Sequence, residues 1–407
     1  MYMFRCITNL KGLAIDIDSF SHIPAIEWKE LTQKYKCIFI TSTGESKLAA
    51  EYGIESVLEL EPYKKAFGLS SQIHNQILER LGVFTTELAY VSADLNFLKY
   101  AMSFLSGSIW ITPTVSYKQV SSSPDVICSS IKSLKNTLSS NGTGFLGERA
   151  LFPHSASVGV IVPVSLSVNE ELSTSVYMLG RYFGYSHYMN QLHPYSSSIF
   201  LNKKQRSKAY GVFSDTFFEL YQAAIQRIQR NHPIDAVCSV PVRPGQENRF
   251  AKIVDQLSRA CGIEDINRNF TCAANYPSQK PLSSAERAEN VKDVFEYSGT
   301  LDGKNIVLID DIITTGATIR SCICALKAKN ANEVFVVVLA VNQFPENYWS
   351  SLSPEIQCPH CKNKMTLLVN HKDKSFFYLC RNCKSTLSFD SGWSQLSARV
   401  NQNDKSK

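Results

Sequence analysis

No stretch of this chain is apolar for long enough to cross a bilayer. The longest candidate, residues 334–341, falls far short of the ~20 residues a helical span needs, and it reads as a buried strand. Lys11, Asp16 and Asp18 interrupt any apolar core near the start, so no secretory leader is expected. Long low-complexity tracts are missing, which excludes fibrous and largely disordered classes. Charge of one sign is scarcely in excess. With 42 basic and 36 acidic residues the net charge is +6, which permits anionic ligands, nucleotides included, without demanding nucleic acid. A disulfide framework is also lacking. Of 12 cysteines, four are grouped late with metal-ligand spacing and the other eight are scattered through apolar segments, which points to a reducing cytoplasm. What remains is a globular composition, 44% hydrophobic and 19% charged, on 407 residues. That length allows about two to four domains.

One stretch carries more chemistry than the rest: Asn305-Ile-Val-Leu-Ile-Asp310-Asp311-Ile-Ile-Thr314-Thr315-Gly316-Ala317-Thr318. Residues 306–309 read as a buried parallel strand with two carboxylates where it ends. A Thr-Thr-Gly-Ala-Thr turn then opens a helix with apolar Ile319, Cys322, Ile323 and Leu326. In open α/β sheets ligands sit outside the carboxyl ends of strands. A turn at a helix N-terminus offers N–H groups and hydroxyls to an anion, and Gly316 lets backbone approach it closely. The carboxylates cannot bind the same phosphate; they suit the vicinal hydroxyls of a ribose, directly or beside a divalent cation. The stretch therefore reads as a ribose 5-phosphate cradle. It resembles the signature with which type I phosphoribosyltransferases bind phosphoribosyl pyrophosphate (PRPP). That resemblance implies Mg²⁺, ribose contacts from Asp310 and Asp311, and phosphate contacts from Thr314, Thr315, Gly316, Ala317 and Thr318.

Upstream, strands and helices alternate. Residues 12–18 form an apolar strand ending in Asp16-Ile-Asp18; residues 37–41 form a second, and residues 88–94 a third that ends at Asp94. Carboxylates, Thr41 and a lysine at strand ends give a metal-assisted phosphoryl-transfer layout. Their order resembles the haloacid dehalogenase (HAD) superfamily. By that resemblance Asp16 is the nucleophile, Asp18 the general acid/base, Thr41 the phosphate ligand, Lys64 or Lys65 the charge-steadying lysine and Asp94 a Mg²⁺ ligand. Ser19-Phe20 and the single carboxylate of Ser92-Ala93-Asp94 depart from the family pattern. Gaps between these motifs leave no room for a cap domain.

Residues 121–144 are turn-rich and read as a linker with a short helix across 126–138. Residues 158–164 look β-like, and 171–185 look helical. Residues 190–207 are polar and aromatic and include the basic run Lys203-Lys204-Gln-Arg206, read either as a solvated loop or as a hood over the PRPP site. A helix across 216–229 precedes a strand at 235–242, whose following turn, residues 243–249, is basic. Arg243 is the candidate for pyrophosphate, since its fork suits phosphate oxygens, and Arg249 reads as a surface or capping residue. Gln279, Leu282, Glu286-Arg287, Asn290-Val291 and Phe295, with Pro241-Val242, resemble the ComF family of phosphoribosyltransferase-like proteins across roughly residues 210–342. The resemblance places Lys280 and Arg287 on a loop that closes over PRPP.

Near the C-terminus, Cys358-Pro-His-Cys361 and Cys380-Arg-Asn-Cys383 stand eighteen residues apart. Thiolates at this spacing close a tetrahedron around structural Zn²⁺, with no open position for catalysis. Aromatic residues 376–378 and Trp393 suit either base stacking or packing against a neighbouring domain. The expected fold class is α/β: a HAD-like domain at 1–120, a linker at 121–144, a ComF-like transferase domain with its hood at 145–350, a β zinc ribbon at 354–395 and a polar tail at 396–407. The expected function is phosphoribosyl transfer from PRPP to a nucleobase- or nucleotide-like acceptor, coupled to a HAD-type phosphatase step. The alternatives are a non-catalytic PRPP- or nucleotide-sensing regulator and a nucleic-acid-associated protein that uses the ribbon. No membrane partner is expected.

Overall fold

In the computed structural model, residues 9–42, 57–61, 70–139, 144–151, 159–203, 208, 210–273, 284–291, 293–344 and 355–403 are described. Two sheets dominate, the first all parallel and the second parallel except for one edge pair. The first contains β1 (Gly12–Asp16), β2 (Lys36–Thr41), β3 (Val57–Glu59), β4 (Leu88–Ser92), β5 (Gly107–Ile111) and β6 (Val126–Cys128), in the order β3-β2-β1-β4-β5-β6. Every pairing is parallel. The winding reverses between β1 and β4, which puts the ends of those strands at the switch point where such sheets form sites. Both faces are buried: Leu13, Ile15, Phe39 and Val91 face one core, Ala14, Ile38, Ile40 and Tyr90 the other. Strands buried on both faces read as continuous apolar runs, and β1, β2 and β4 were legible for that reason. The stretch read as a linker with a short helix does hold the helix Ile131–Ser139, but it also supplies β6 to the sheet. Three residues of strand among serines and prolines carry too little periodicity to reveal themselves.

The second sheet runs β11-β10-β14-β15-β8-β7. Its strands are β7 (Val162–Ser167), β8 (Ser173–Met178), β10 (Ala236–Ser239), β11 (Glu264–Asp265), β14 (Ile306–Ile313) and β15 (Val334–Gln343), with β9 (Arg181–Phe183) paired to the far end of β15. A small antiparallel pair, β12 (Phe270–Cys272) and β13 (Phe295–Tyr297), stands apart. Residues 171–185 are not helical. They form β8 and β9, because Val176 and Met178 pair with Val336 and Val338 of the wholly buried β15. That edge overrides local propensity. The C-terminal unit has β16 (Met365–Val369), β17 (Phe376–Cys380) and β18 (Thr386–Ser388), followed by the helix Phe389–Asn403. The presumed polar tail is largely this helix, whose Leu396 and Val400 are buried. No helix among the described residues is long and apolar enough to cross a membrane.

The units share one hydrophobic cluster that runs from Leu13 through Leu308 to Val400. At the join lies a buried ion network. Arg181 of β9 donates to Glu148 from Nε (2.9 Å) and Nη2 (3.0 Å), and from Nη1 to Asp125 (3.0 Å). Asp125, just before β6, also accepts from Ser108 of β5 through N–H (3.0 Å) and Oγ (2.9 Å). Ser123 donates its N–H to Gln343 at the end of β15 (2.8 Å). Burial opposes ionisation of Glu148, but Arg181 and His193 overcome it and hold the carboxyl down at about 2. Asp125 receives only one arm of Arg181, so burial prevails there and raises it.

Removing Glu148 takes the two-armed partner from the buried Arg181 guanidinium and leaves it one arm on Asp125. Glu148→Gln is expected to cost about 3–5 kcal/mol, read from urea denaturation at pH 7. A depressed carboxylate contributes stability above its unfolded pKa and loses it as pH falls toward the folded value. The wild-type advantage over Glu148→Gln should therefore be complete above about pH 5 and shrink toward pH 2.

Candidate functional site

Strand β14 runs past the carboxylates, but unevenly. It pairs with β10 only as far as Ile309 and with β15 as far as Ile313. Beyond Ser239 the β10 side is open, and Asp310 and Asp311 stand at that opening. Asp311 is 5% exposed. Its Oδ1 accepts from the Ile312 N–H (2.6 Å), and its Oδ2 meets Lys203 Nζ (2.9 Å) and Arg249 Nη2. Asp310 Oδ1 accepts from the Asp311 N–H (2.8 Å), and its carbonyl accepts from the Tyr221 hydroxyl (2.8 Å). Two adjacent carboxylates, one half-buried and one buried, cannot ionise equally. Burial, then the charge of Asp311, pushes Asp310 up to about 7. Burial acts on Asp311 as well, but Lys203 and Arg249 override it and hold that carboxyl below its usual range.

The cations come from two loops. Lys203 ends the helix Pro194–Lys203, within the segment read as a hood. Arg249 lies in the turn after β10, where Asn248 ties the turn down by donating to Ser239 Oγ (3.2 Å) and accepting from the Phe250 N–H (2.9 Å). Its guanidinium stands 5.1 Å from the Phe250 ring centroid. Arg249 is thus an ion-pair partner of the site rather than a surface residue. Arg243 is half-buried in the same turn, and Arg287 is half-buried on the helix Ser284–Asn290. Lys204, Arg206 and Lys280 lie outside the described residues. Tyr182 of β9 also faces the site: burial and the charge of Asp311 push its phenol up to about 12.

After β14 the chain turns at Gly316 (φ 78°, ψ 2°), the cap of the helix Ala317–Lys327. Ile319, Cys322, Ile323 and Leu326 are all buried beneath it, so the apolar face seats the helix against the sheet. A left-handed cap suits glycine, and a Cβ there would come within 3.1 Å of Arg320 Nη1. The Thr314 carbonyl accepts from the Tyr117 hydroxyl, and the Thr315 carbonyl from Arg320 Nη1 (2.7 Å). Thr314, Thr315 and Thr318 remain partly exposed.

A second cluster occupies the switch point of the first sheet. Asp16 is buried at the end of β1, and its Oδ2 accepts from Ser19 Oγ and Ser92 Oγ (both 2.6 Å). Asp18 accepts from Thr41 Oγ1 (2.7 Å) at one oxygen, and from the Ser42 N–H (2.8 Å) and Oγ (2.7 Å) at the other. Asp94 caps the helix Leu95–Ser103 through the Asn96 N–H (2.8 Å). Asp16, Asp18, Thr41 and Asp94 thus do gather at strand ends. Lys64 and Lys65 lie outside the described residues. Ser19 and Ser92 were not singled out as ligands in the sequence, because their role appears only when β1 and β4 meet.

Residues 220–358 match the family model of the phosphoribosyl transferase domain. The cradle and strands β10 to β15 lie within that match. No curated protein matches the chain. Among solved structures, the chain is similar to an adenine phosphoribosyltransferase, with 19% identity over 32% of this chain and 79% of that one and a TM-score of 0.22. It is also similar to a dehalogenase with an intermediate complex, with 17% identity over 28% of this chain and a TM-score of 0.24. The chain spans about half (53%) of that dehalogenase. The UMP synthase of Leishmania donovani aligns over 85% of this chain and 90% of its own, at 11% identity and a TM-score of 0.20.

Beyond the phosphoribosyl transferase domain, the sulfurs of Cys358, Cys361, Cys380 and Cys383 all lie within 4.8 Å of one another. Three of the separations are 3.4, 3.4 and 3.6 Å. A tetrahedral Zn²⁺ with bonds of about 2.3 Å spaces its sulfurs by roughly 3.8 Å, so the four fit that ion as a closed site. Phe376, Tyr378 and Trp393 are buried, and Tyr378 donates to the Gln191 carbonyl (3.1 Å) while Phe213 stacks on Phe376. Phe376 and Tyr378 thus pack against other parts of the chain. The purified protein should carry about one zinc ion per chain by elemental analysis. Chelation, or Cys361→Ser, should unfold the ribbon and open residues 355–403 to limited proteolysis while β14 stays protected.

Proposed function

We propose that the chain is a PRPP-dependent phosphoribosyltransferase of the ComF-like branch, acting on a nucleobase- or nucleotide-like acceptor. The observation that carries this reading is the pairing of Asp310 and Asp311, at the open end of β14, with a glycine-capped helix N-terminus inside the phosphoribosyl transferase match. Asp310 and Asp311 take the ribose hydroxyls, and the loop Thr314, Thr315, Gly316, Ala317 and Thr318 takes the 5-phosphate. Arg243 and Arg287 screen the pyrophosphate. Lys203 and Arg249, which neutralise Asp311 in the free protein, stand beside the same opening and turn to the incoming anion when ribose claims the carboxylate. Mg²⁺, for which the paired carboxylates are a fitting oxygen donor set, supplies charge neutralisation at the pyrophosphate. The protein's own contribution is positioning and electrostatic stabilisation as the anomeric carbon becomes cationic.

For the first unit we favour a role in assembly over phosphate hydrolysis. Asp18, the acid/base candidate, is occupied by Thr41 and Ser42, and Asp16 shares an oxygen between two serines. Hydrolysis of p-nitrophenyl phosphate with Mg²⁺ should be no faster for wild type than for Asp16→Asn; a clear wild-type excess restores the aspartyl-nucleophile reading.

Pyrophosphate release from PRPP–Mg²⁺ over a panel of bases tests the transferase reading. At least one base should support release, and Asp310→Asn or Asp311→Asn should lower kcat by about 10²–10³-fold. PRPP binding without release for every base would favour the sensing alternative. Because Asp310 titrates near 7 and must be ionised to accept ribose hydroxyls, PRPP affinity should rise between pH 6 and pH 8. Asp310→Asn should flatten that rise in titration calorimetry.

A further inference from the structure

The cradle is held from outside its own domain. After β5 the first unit sends a loop, residues 112–125, across to the second sheet before returning as β6. Part of it runs parallel to β7: Ser165 donates its N–H to the Val115 carbonyl (3.0 Å), and Tyr117 donates its own N–H to the Ser165 carbonyl (2.9 Å). This fixes the Tyr117 backbone at the edge of the second sheet. From there its hydroxyl reaches the Thr314 carbonyl, 197 residues away in the chain. Arg320 makes the companion tie, from Nε to the Ser167 carbonyl of β7 (2.8 Å) and from Nη1 to the Thr315 carbonyl.

These two ties set the direction of the following amides. In a trans peptide the C=O and the N–H of the next residue point opposite ways, and the described residues contain no cis peptide. Holding the Thr314 carbonyl toward Tyr117 turns the Thr315 N–H away from it. Holding the Thr315 carbonyl toward Arg320 does the same for the Gly316 N–H. Those N–H groups are the donors that a helix N-terminus offers to a phosphate. Burial also holds the Tyr117 phenol above its ordinary range, against the opposing charge of Arg320, so the hydroxyl stays a donor at any physiological pH.

We propose that Tyr117 is a positioning residue for the 5-phosphate cradle: through the Thr314 carbonyl it aims the Thr315 amide at the phosphate, so the first unit completes the site of the second. This rests on the ribose-phosphate reading above. It goes beyond that reading by making PRPP binding depend on a residue outside the 220–358 match. A tie of this kind acts on any ligand that carries the 5-phosphate and not on one that lacks it.

Calorimetry on the full chain compares wild type with Tyr117→Phe, using ribose 5-phosphate, PRPP–Mg²⁺ and pyrophosphate–Mg²⁺ as ligands. The variant should bind the first two about tenfold more weakly, the scale of one lost hydrogen bond. Pyrophosphate affinity and melting temperature should be unchanged. Equal ribose 5-phosphate affinity in the two proteins overturns the inference while leaving the transferase reading intact. An equal loss for all three ligands assigns Tyr117 a general structural role and also overturns it. Wild type that binds none of them removes the transferase reading and this inference with it. One measurement needs no variant: in amide NMR of the wild type, ribose 5-phosphate should shift Thr315 and Gly316. If those two amides stay still while the ligand binds, the proposal fails.

Discussion

Two carboxylates in succession at the end of a buried strand cannot both stay ionised without cations beside them, and much of the second unit follows from that constraint. Asp311 is served by Lys203 and Arg249, so the helix that ends at Lys203 and the turn after β10 must both reach the same opening. Among the described residues Asp310 forms no salt bridge and rests on the Asp311 N–H, and burial with the charge of Asp311 raises it to about 7. The pair is therefore one anion held ready and one carboxyl poised to ionise. A ligand with two hydroxyls and its own negative charge suits that state. On the proposed ribose-phosphate reading, the hydroxyls replace the cations at Asp311, and the displaced cations gain a partner in the ligand.

The second theme is that the units do not stand alone. The loop between β5 and β6 meets the second unit at Tyr117, Ser123 and Asp125, where its partners are the Thr314 carbonyl, the end of β15 and Arg181 beside Tyr182. The ribbon closes the opposite flank by holding Gln191 of the hood between Leu367 and Tyr378. Charges buried at such joins are costly unless fully paired, and here the Arg181 guanidinium meets Glu148 in a fork and Asp125 with its remaining arm. A first sheet that has spent Asp18 on Thr41 and Ser42 fits this picture as a support.

What the sequence made legible was local. Residues 305–318 declared the strand, the two carboxylates and the turn into a helix because all of them sit within fourteen positions. The cysteine knuckles and the helices Ser214–Gln229 and Ala317–Lys327 were legible for the same reason. Contacts across long separations stayed hidden. Arg249 meets Asp311 across 62 residues and Tyr117 meets Thr314 across 197, and no periodicity encodes such meetings. Strands β8 and β9 eluded a sequence reading because their character is set by β15, and β6 because it is three residues long. The basic turn at 243–249 was visible, but the role of Arg249 depended on knowing that this turn reaches Asp311 of β14.

A structure of the protein with ribose 5-phosphate bound is the most direct test. The phosphate should lie on the amides of residues 315–318, with the ribose hydroxyls on Asp310 and Asp311 and with Lys203 and Arg249 drawn off Asp311. A sugar phosphate bound elsewhere, or bound at the loop with both cations still on Asp311, would contradict the role given to the carboxylate pair.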